Sequence, residues 1–259
     1  MKFKKDINSL FEKLKDKEHF AFTRYSDGEV LVMQNKRLIL AKDYVITDKQ
    51  YHNFGYSDDD YKNFDPGRHG FVKEALLKSY KFKKKNYFVG GICKNCNCAS
   101  QQYVSWMREQ YGEFDEHYTY ANLLVNSNYP EFIEKWVPEL ANHKVVMVCS
   151  KNATFDSLPF DIVKDFRVGT NCIANDHHLI EEMSCWIEDN DIQDHVFLFS
   201  ASSLSEILIH NLFDKYDNNT YIDIGTTLHK YLGLSLQRGY LQGYWNKIPH
   251  PSLETSCND

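Results

Sequence analysis

Residues Phe20-Ala21-Phe22-Thr23-Arg24-Tyr25-Ser26-Asp27-Gly28-Glu29-Val30 run from a short apolar segment through a turn bearing two carboxylates into a helix-like pattern. The reading is a strand at about 20–25, a turn at Asp27-Gly28-Glu29, and a helix carrying Val30, Leu31 and Met33 on a sheet. Two hard oxygen ligands on either side of a glycine suit Mn²⁺ or Mg²⁺, ions that bind through one or two carboxylates plus substrate phosphates. Arg24 adds a planar donor for phosphate or carboxylate. A site of this composition suggests a sugar-nucleotide diphosphate. The same letters also describe an ordinary helix start, with Asp27 as cap and Glu29 in the first turn.

Outward from this unit the chain alternates between strand and helix signals. Apolar positions Ile7, Leu10, Phe11 and Leu14 give a helix over 7–18, and further helices are expected at 69–80, 100–111, 129–139 (with Pro130 in its first turn) and 175–188. Strands are expected at 87–92, 145–149, 165–169, 195–200 and 221–225; Val145-Val146-Met147-Val148-Cys149 is short, apolar and rich in valine. Residues 43–68, rich in Asp, Tyr, Asn and His, read as a long loop with short helical pieces, and 235–259 as a tail wrapping the surface. The alternation predicts an α/β, Rossmann-like, mostly parallel sheet with helices on both faces, in one domain spanning 1–259.

Composition narrows the function classes. A net charge of -6 disfavours a protein whose task is to grip nucleic acid, leaving a modified nucleobase only as an acceptor. The cationic run Lys81-Phe82-Lys83-Lys84-Lys85 reads as a solvated helix end, or else as a hold for an anionic acceptor or membrane surface. The first residues lack a signal-peptide core and no run is long and apolar enough to span a bilayer, so a cytoplasmic location is expected. Seven cysteines, an odd number, argue against a disulfide framework. Cys93, Cys96 and Cys98 have zinc-like spacing but need a fourth ligand, for which Cys172, His177 or His178 would have to serve; reduced cysteines after a strand are the simpler reading.

Four segments fall at predicted strand ends: Arg24–Glu29, Ser150-Lys151-Asn152, Ser200–Ser203 and Asp223–Thr227. Strand ends of a doubly wound sheet converge on one crevice. Ser202 and Ser203, opening a helix with Glu206 in its first turn, offer backbone N–H groups for phosphate, or a plain cap. Lys151 is placed to pair with a diphosphate, and Asp223 to hold a ribose or an acceptor hydroxyl.

The run Phe22-Thr23-Arg24-Tyr25-Ser26-Asp27-Gly28-Glu29 resembles the Arg-aromatic-small-Asp-Gly-Glu signature of the GT-D fold glycosyltransferases. The later layout, an apolar strand, a small-residue turn, a helix and then Ile222-Asp223-Ile224-Gly225, is also similar. The resemblance implies a metal-dependent transferase using a nucleotide-activated sugar, with a UDP-sugar the expected donor. It assigns Asp27 and Glu29 to the metal and the catalytic centre, and Arg24, with Ser26 and Gly28 of the same turn, to the donor. The region between the two ends departs from the pattern. Asp223, Asp176 and His177 are the candidate bases for an acceptor hydroxyl. Two other readings remain: an S-adenosylmethionine-dependent methyltransferase, from Tyr221-Ile222-Asp223-Ile224-Gly225, and a non-enzymatic module with a structural zinc site.

Overall fold

In the segment Lys144–Ser150, alternate side chains face opposite ways and both sets are apolar. Val146 and Val148 enter one hydrophobic cluster, while Val145, Met147 and Cys149 enter another. A strand buried on both faces must lie inside a sheet covered on both sides.

The computed structural model describes residues 7–93, 100–112 and 115–254. Its strands are β1 (Ala21–Arg24), β2 (Leu38–Leu40), β3 (Val45–Thr47), β4 (Gln50–His52), β5 (Lys62–Phe64), β6 (Tyr87–Gly91), β7 (Tyr118–Tyr120), β8 (Lys144–Ser150), β9 (Ile162–Val168), β10 (His195–Ser200) and β11 (Thr220–Asp223). Seven of them form one sheet in the order β7-β6-β1-β11-β10-β8-β9, every pair parallel. Parallel neighbours put all their carboxyl ends on one side, and β1, near the middle, joins the two halves of the sheet.

On one face lie the helices Asp27–Met33, Gly70–Lys81, Gln101–Tyr111, Leu179–Asp189 and Leu204–Lys215, packed through Val72, Leu76, Met107, Met183 and Leu208. On the other lie the helix Ile7–Lys15, a helical stretch over 129–140 and the helix Gly239–Asn246, packed through Leu10, Phe132, Trp136 and Leu241. The α/β architecture with a parallel sheet and two helical layers is the one the alternation predicts. No helix among the described residues is long and apolar enough to cross a membrane.

Three local expectations are corrected. Residues 43–68 contain the short helical piece Asp58–Asp60 but are not only a loop: β3, β4 and β5 join β2 in a second, antiparallel sheet of order β4-β3-β2-β5. Residues 235–259 are not merely a surface tail, because the helix Gly239–Asn246 buries Tyr240 and Leu241 in the core. The helix expected over 175–188 is two pieces, Cys172–Asn175 and Leu179–Asp189, divided where Asp176 turns to accept the Gly169 N–H at 2.7 Å. The run at 81–85 is the end of the helix Gly70–Lys81, followed by Lys83 paired with Asp115 at 3.1 Å and Lys84 with Asp217 at 3.0 Å.

The small sheet is tied to the large one by Asn171. Its side chain accepts the Asn63 N–H at 2.8 Å and donates to the Asn63 carbonyl at 3.1 Å, as a neighbouring strand would. Asn171 has φ 55°, a left-handed conformation that asparagine tolerates better than most residues. Asn171→Ala loses both bonds and is expected to cost about 2–3 kcal/mol, from roughly 1 kcal/mol per bond plus backbone strain. Hydrogen exchange checks this: the Asn63 amide should exchange at least tenfold faster while amides of β8 and β10 keep their relative protection.

Candidate functional site

Glu29 is the centre of the site and it is buried. Ser26, not Asp27, is the N-cap of the helix Asp27–Met33. From the third helical position Glu29 reaches back, and its Oε2 accepts the Ser26 N–H at 3.0 Å and the Ser26 hydroxyl at 2.9 Å. Its Oε1 accepts the Lys62 ammonium at 3.2 Å and the Ser203 hydroxyl in a short contact. Burial alone would raise the pKa of this carboxyl, but Lys62, then Ser203 and Ser26, outweigh it and hold the group at about 2.

Lys62 comes from β5, where residues alternate and Lys62 and Phe64 point inward. Its Nζ also lies 2.5 Å from the Ser203 hydroxyl. No sequence signal marks this lysine, because Lys62-Asn63-Phe64 lies in a polar stretch with no run long enough to show a period.

Asp223 ends β11, is buried, and accepts the Gly225 N–H at 2.9 Å. Burial drives its pKa up; Arg24 and the Gly225 N–H oppose this, Glu29 reinforces it, and the result is about 6. Arg24, at the end of β1, donates from Nε to the Ala121 carbonyl at 2.5 Å. A Cβ on Gly225 would stand 2.2 Å from Arg24 Nη1, and Gly225 has φ +51°, so only glycine lets the guanidinium lie there. Glu206, from the first turn of the helix Leu204–Lys215, is buried beside Asp223, and its Oε2 has no hydrogen-bond partner. Burial, then Asp223 and Glu29, push its carboxyl well above the usual range. The shift favours the protonated form because a buried unpaired charge is costly.

These groups line a cleft of about 390 Å³, within the range of small-molecule sites. Five strand ends meet there: Arg24, Ser150-Lys151-Asn152, Val168-Gly169-Thr170, Ser200-Ala201-Ser202 and Asp223. The small sheet roofs it through Leu38, Thr47, His52 and Lys62, and the C-terminal segment adds Arg238 and Tyr240. Arg238 stacks on Tyr56, 4.9 Å from the ring centre, and lies 3.6 Å from Asp60.

The structure brings Arg24, Ser26, Asp27, Gly28, Glu29, Lys151, Ser202 and Asp223 together at this cleft. Ser203 is fully buried and turned to Glu29 rather than towards the cleft. Ser202 has φ 52° and is exposed. Asp176 and His177 lie outside the cleft lining: Asp176 holds Gly169, while His177 bonds the Ile173 carbonyl at 2.8 Å and stands edge-on to Phe71. Cys93 is buried, whereas Cys96 and Cys98 lie outside the described residues. Cys172 donates to the Ala201 carbonyl at 3.2 Å, and no group of three His, Cys, Asp or Glu residues among the described residues is arranged to hold a metal ion.

Asp27 is open to solvent through the cleft, and desolvation, then the Glu29 charge, raises its pKa. It fits a cation ligand. Glu29 does not. A carboxylate offers about four lone-pair positions, and Ser26 (twice), Lys62 and Ser203 take them. As arranged, the Asp27–Glu29 pair presents one carboxylate to an ion, not two.

No protein-family model and no curated protein matches this chain. Two solved structures share its fold. One, a selenomethionine-substituted domain of unknown function 1792, is 12% identical, covers 88% of this chain and 81% of its own, and aligns with a TM-score of 0.53. The other, in which the highly conserved domain of unknown function 1792 is described as having a distinct glycosyltransferase fold, is 12% identical, covers 95% and 82%, and has a TM-score of 0.56. The likeness is one of fold: this chain shares its α/β architecture, a parallel sheet between helical layers, with a structure described as having a distinct glycosyltransferase fold.

Two opposite pH effects follow from the buried acids. Glu29, lowered from 4.5 to about 2, contributes stability that is full above about pH 4.5 and lost as pH falls through 2. Asp223, raised from 3.8 to about 6, favours its protonated form, so its contribution declines as pH rises from 3.8 to 6. Asp223→Asn should therefore raise the unfolding free energy at pH 7 by about 1–3 kcal/mol, at about 1.4 kcal/mol per pKa unit, and flatten the slope between pH 4 and 6. Calorimetry showing neither would refute the assignment. Glu29→Gln leaves the Lys62 ammonium buried without its counter-charge and should cost about 3–5 kcal/mol in denaturant unfolding.

Proposed function

We propose that this chain is a glycosyltransferase that moves a sugar from a nucleoside diphosphate donor to an acceptor hydroxyl. The observation that carries the reading is the meeting of five parallel strand ends, two cations (Arg24 and Lys151) and two buried acids (Asp223 and Glu206) at one cleft of a glycosyltransferase-type fold. Open parallel sheets bind ligands outside the carboxyl ends of their strands. The donor's diphosphate lies against Arg24, Lys151 and the amide end of the helix Leu204–Lys215 at Ser202. Fixed donors in a cleft stabilise the charge that develops on the leaving nucleotide without reorganising.

The acceptor oxygen attacks the anomeric carbon as the bond from that carbon to the diphosphate oxygen breaks. Its proton passes to the Asp223 carboxylate, and the nucleoside diphosphate leaves. A base works best when its pKa lies near the working pH, and Asp223, at about 6, meets that condition. Asp176 and His177, turned elsewhere, do not compete for the role. A single displacement of this kind inverts the anomeric centre.

Thermal unfolding with UDP, GDP, CDP, TDP and ADP tests the donor site. At about a hundred times its dissociation constant a ligand adds roughly 2.7 kcal/mol, which raises the midpoint by roughly 5–10 °C for a chain of this size. One nucleotide, UDP in the first instance, should give that shift, and Arg24→Ala should remove most of it. Millimolar nucleotides without effect would end the donor-site reading, and a shift with S-adenosylmethionine instead would favour a methyltransferase. With a competent donor, Asp223→Asn should keep the nucleotide shift but lower turnover about 10²–10⁴-fold, the usual scale of general-base loss.

A further inference from the structure

Counting donors at Glu29 exposes a role for Lys62. A divalent ion bound to Glu29 must displace one of four hydrogen-bonded partners: the Ser26 N–H, the Ser26 hydroxyl, the Ser203 hydroxyl or the Lys62 ammonium. The Lys62 side chain is 5% exposed and that of Glu29 10%, so neither partner is an exchangeable surface group. An ammonium has three donors, and two of them meet Glu29 and Ser203. Lys62 also lines the cleft beside Asp27 and Gly28. A Cβ at Gly28 would stand 3.7 Å from Nζ, in ordinary van der Waals contact, so glycine keeps a side chain off that side of the ammonium.

We propose that Lys62 supplies, as a fixed side-chain cation, the positive charge that a divalent ion at Asp27 and Glu29 would otherwise bring, so that this cleft binds a nucleoside diphosphate without a metal. The inference rests on the proposed donor site for its ligand, but the blocking of Glu29 is a property of the protein alone. A compact ammonium is a point charge suited to phosphate oxygens. Glu29 fixes its position, and Ser203 ties that position to the amide end of the helix Leu204–Lys215.

Two measurements on the full chain decide it. Calorimetric titration with UDP should give the same dissociation constant within about twofold in EDTA and in Mn²⁺. Lys62→Ala should weaken binding in EDTA at least tenfold, one decade being about 1.4 kcal/mol. Electron paramagnetic resonance of free Mn²⁺, with no nucleotide present, should show no more than weak binding to the wild type. Lys62→Ala, which vacates a lone pair on Glu29 next to Asp27, should bind Mn²⁺ at least tenfold more tightly, and Asp27→Asn in that background should abolish the gain. Tight Mn²⁺ binding to the wild type that Asp27→Asn removes, or a tenfold or greater gain in UDP affinity with Mn²⁺, would overturn the inference. If UDP fails to bind under all conditions the donor reading falls, while the resonance titration still decides whether Lys62 closes Glu29 to the ion. Should Lys62→Ala fail to fold, the wild-type titrations alone carry the decision.

Discussion

The buried contact among Glu29, Lys62 and Ser203 holds the site together. It joins chain segments 33, 141 and 174 residues apart: the start of the helix after β1, the strand β5 of the small sheet, and the start of the helix after β10. Burying a carboxylate and an ammonium is costly unless both are paired and hydrogen-bonded. The cost makes the arrangement specific. A shift of β5 by one residue would turn Lys62 outward and leave Glu29 short of a partner. The small sheet therefore has one register over the large one, and the roof of the cleft is fixed with it.

Around this contact the acids divide by environment. Glu29 is fully bonded and stays ionised; Glu206, with an unpartnered oxygen, is pushed well above the usual carboxylate range; Asp223 is raised to about 6. Three carboxyl groups within one buried neighbourhood cannot all ionise cheaply, because each charge raises the pKa of the others. Arg24 sets where the balance falls for Asp223, and it reaches that position only because residue 225 has no side chain. Groups whose environments separate their pKa values are those that can be assigned different chemical tasks.

The parts of the fold visible in the sequence were those with a strong periodic signature. β8 and β10 are apolar on both faces, and the turn from β1 into Asp27-Gly28-Glu29 changes period within a few residues. The small sheet was hidden because its strands have three residues each, two of them largely polar: Gln50-Tyr51-His52 and Lys62-Asn63-Phe64. The helix Gly239–Asn246 was hidden by its two glycines, one of which, Gly243, is buried. At the other serines, Ser203 and Glu206 have the spacing of a capping box, but Ser203 makes no cap bond and gives its hydroxyl to Glu29, while Glu206 lies at the cleft. Local spacing was correct there about the helix start and silent about what the side chains touch.

The meaning of Asp27-Gly28-Glu29 is decided by a residue outside it. Two carboxylates on a turn describe a cation site only while their lone pairs are free, and that count depends on donors brought from elsewhere in the chain. Ser26 supplies two locally, as a capping box does. The remaining two come from β5 and from the helix after β10, and together they turn Glu29 from a prospective ligand into an anchor. Asp27, one residue past the cap, is open to the cleft; the Gly28 N–H and the charges of Lys62 and Arg238 act on it, but desolvation and the Glu29 charge outweigh them. One motif thus carries two unlike acids, one built into the frame of the site and one facing its ligand space, and tertiary packing rather than spacing separates them.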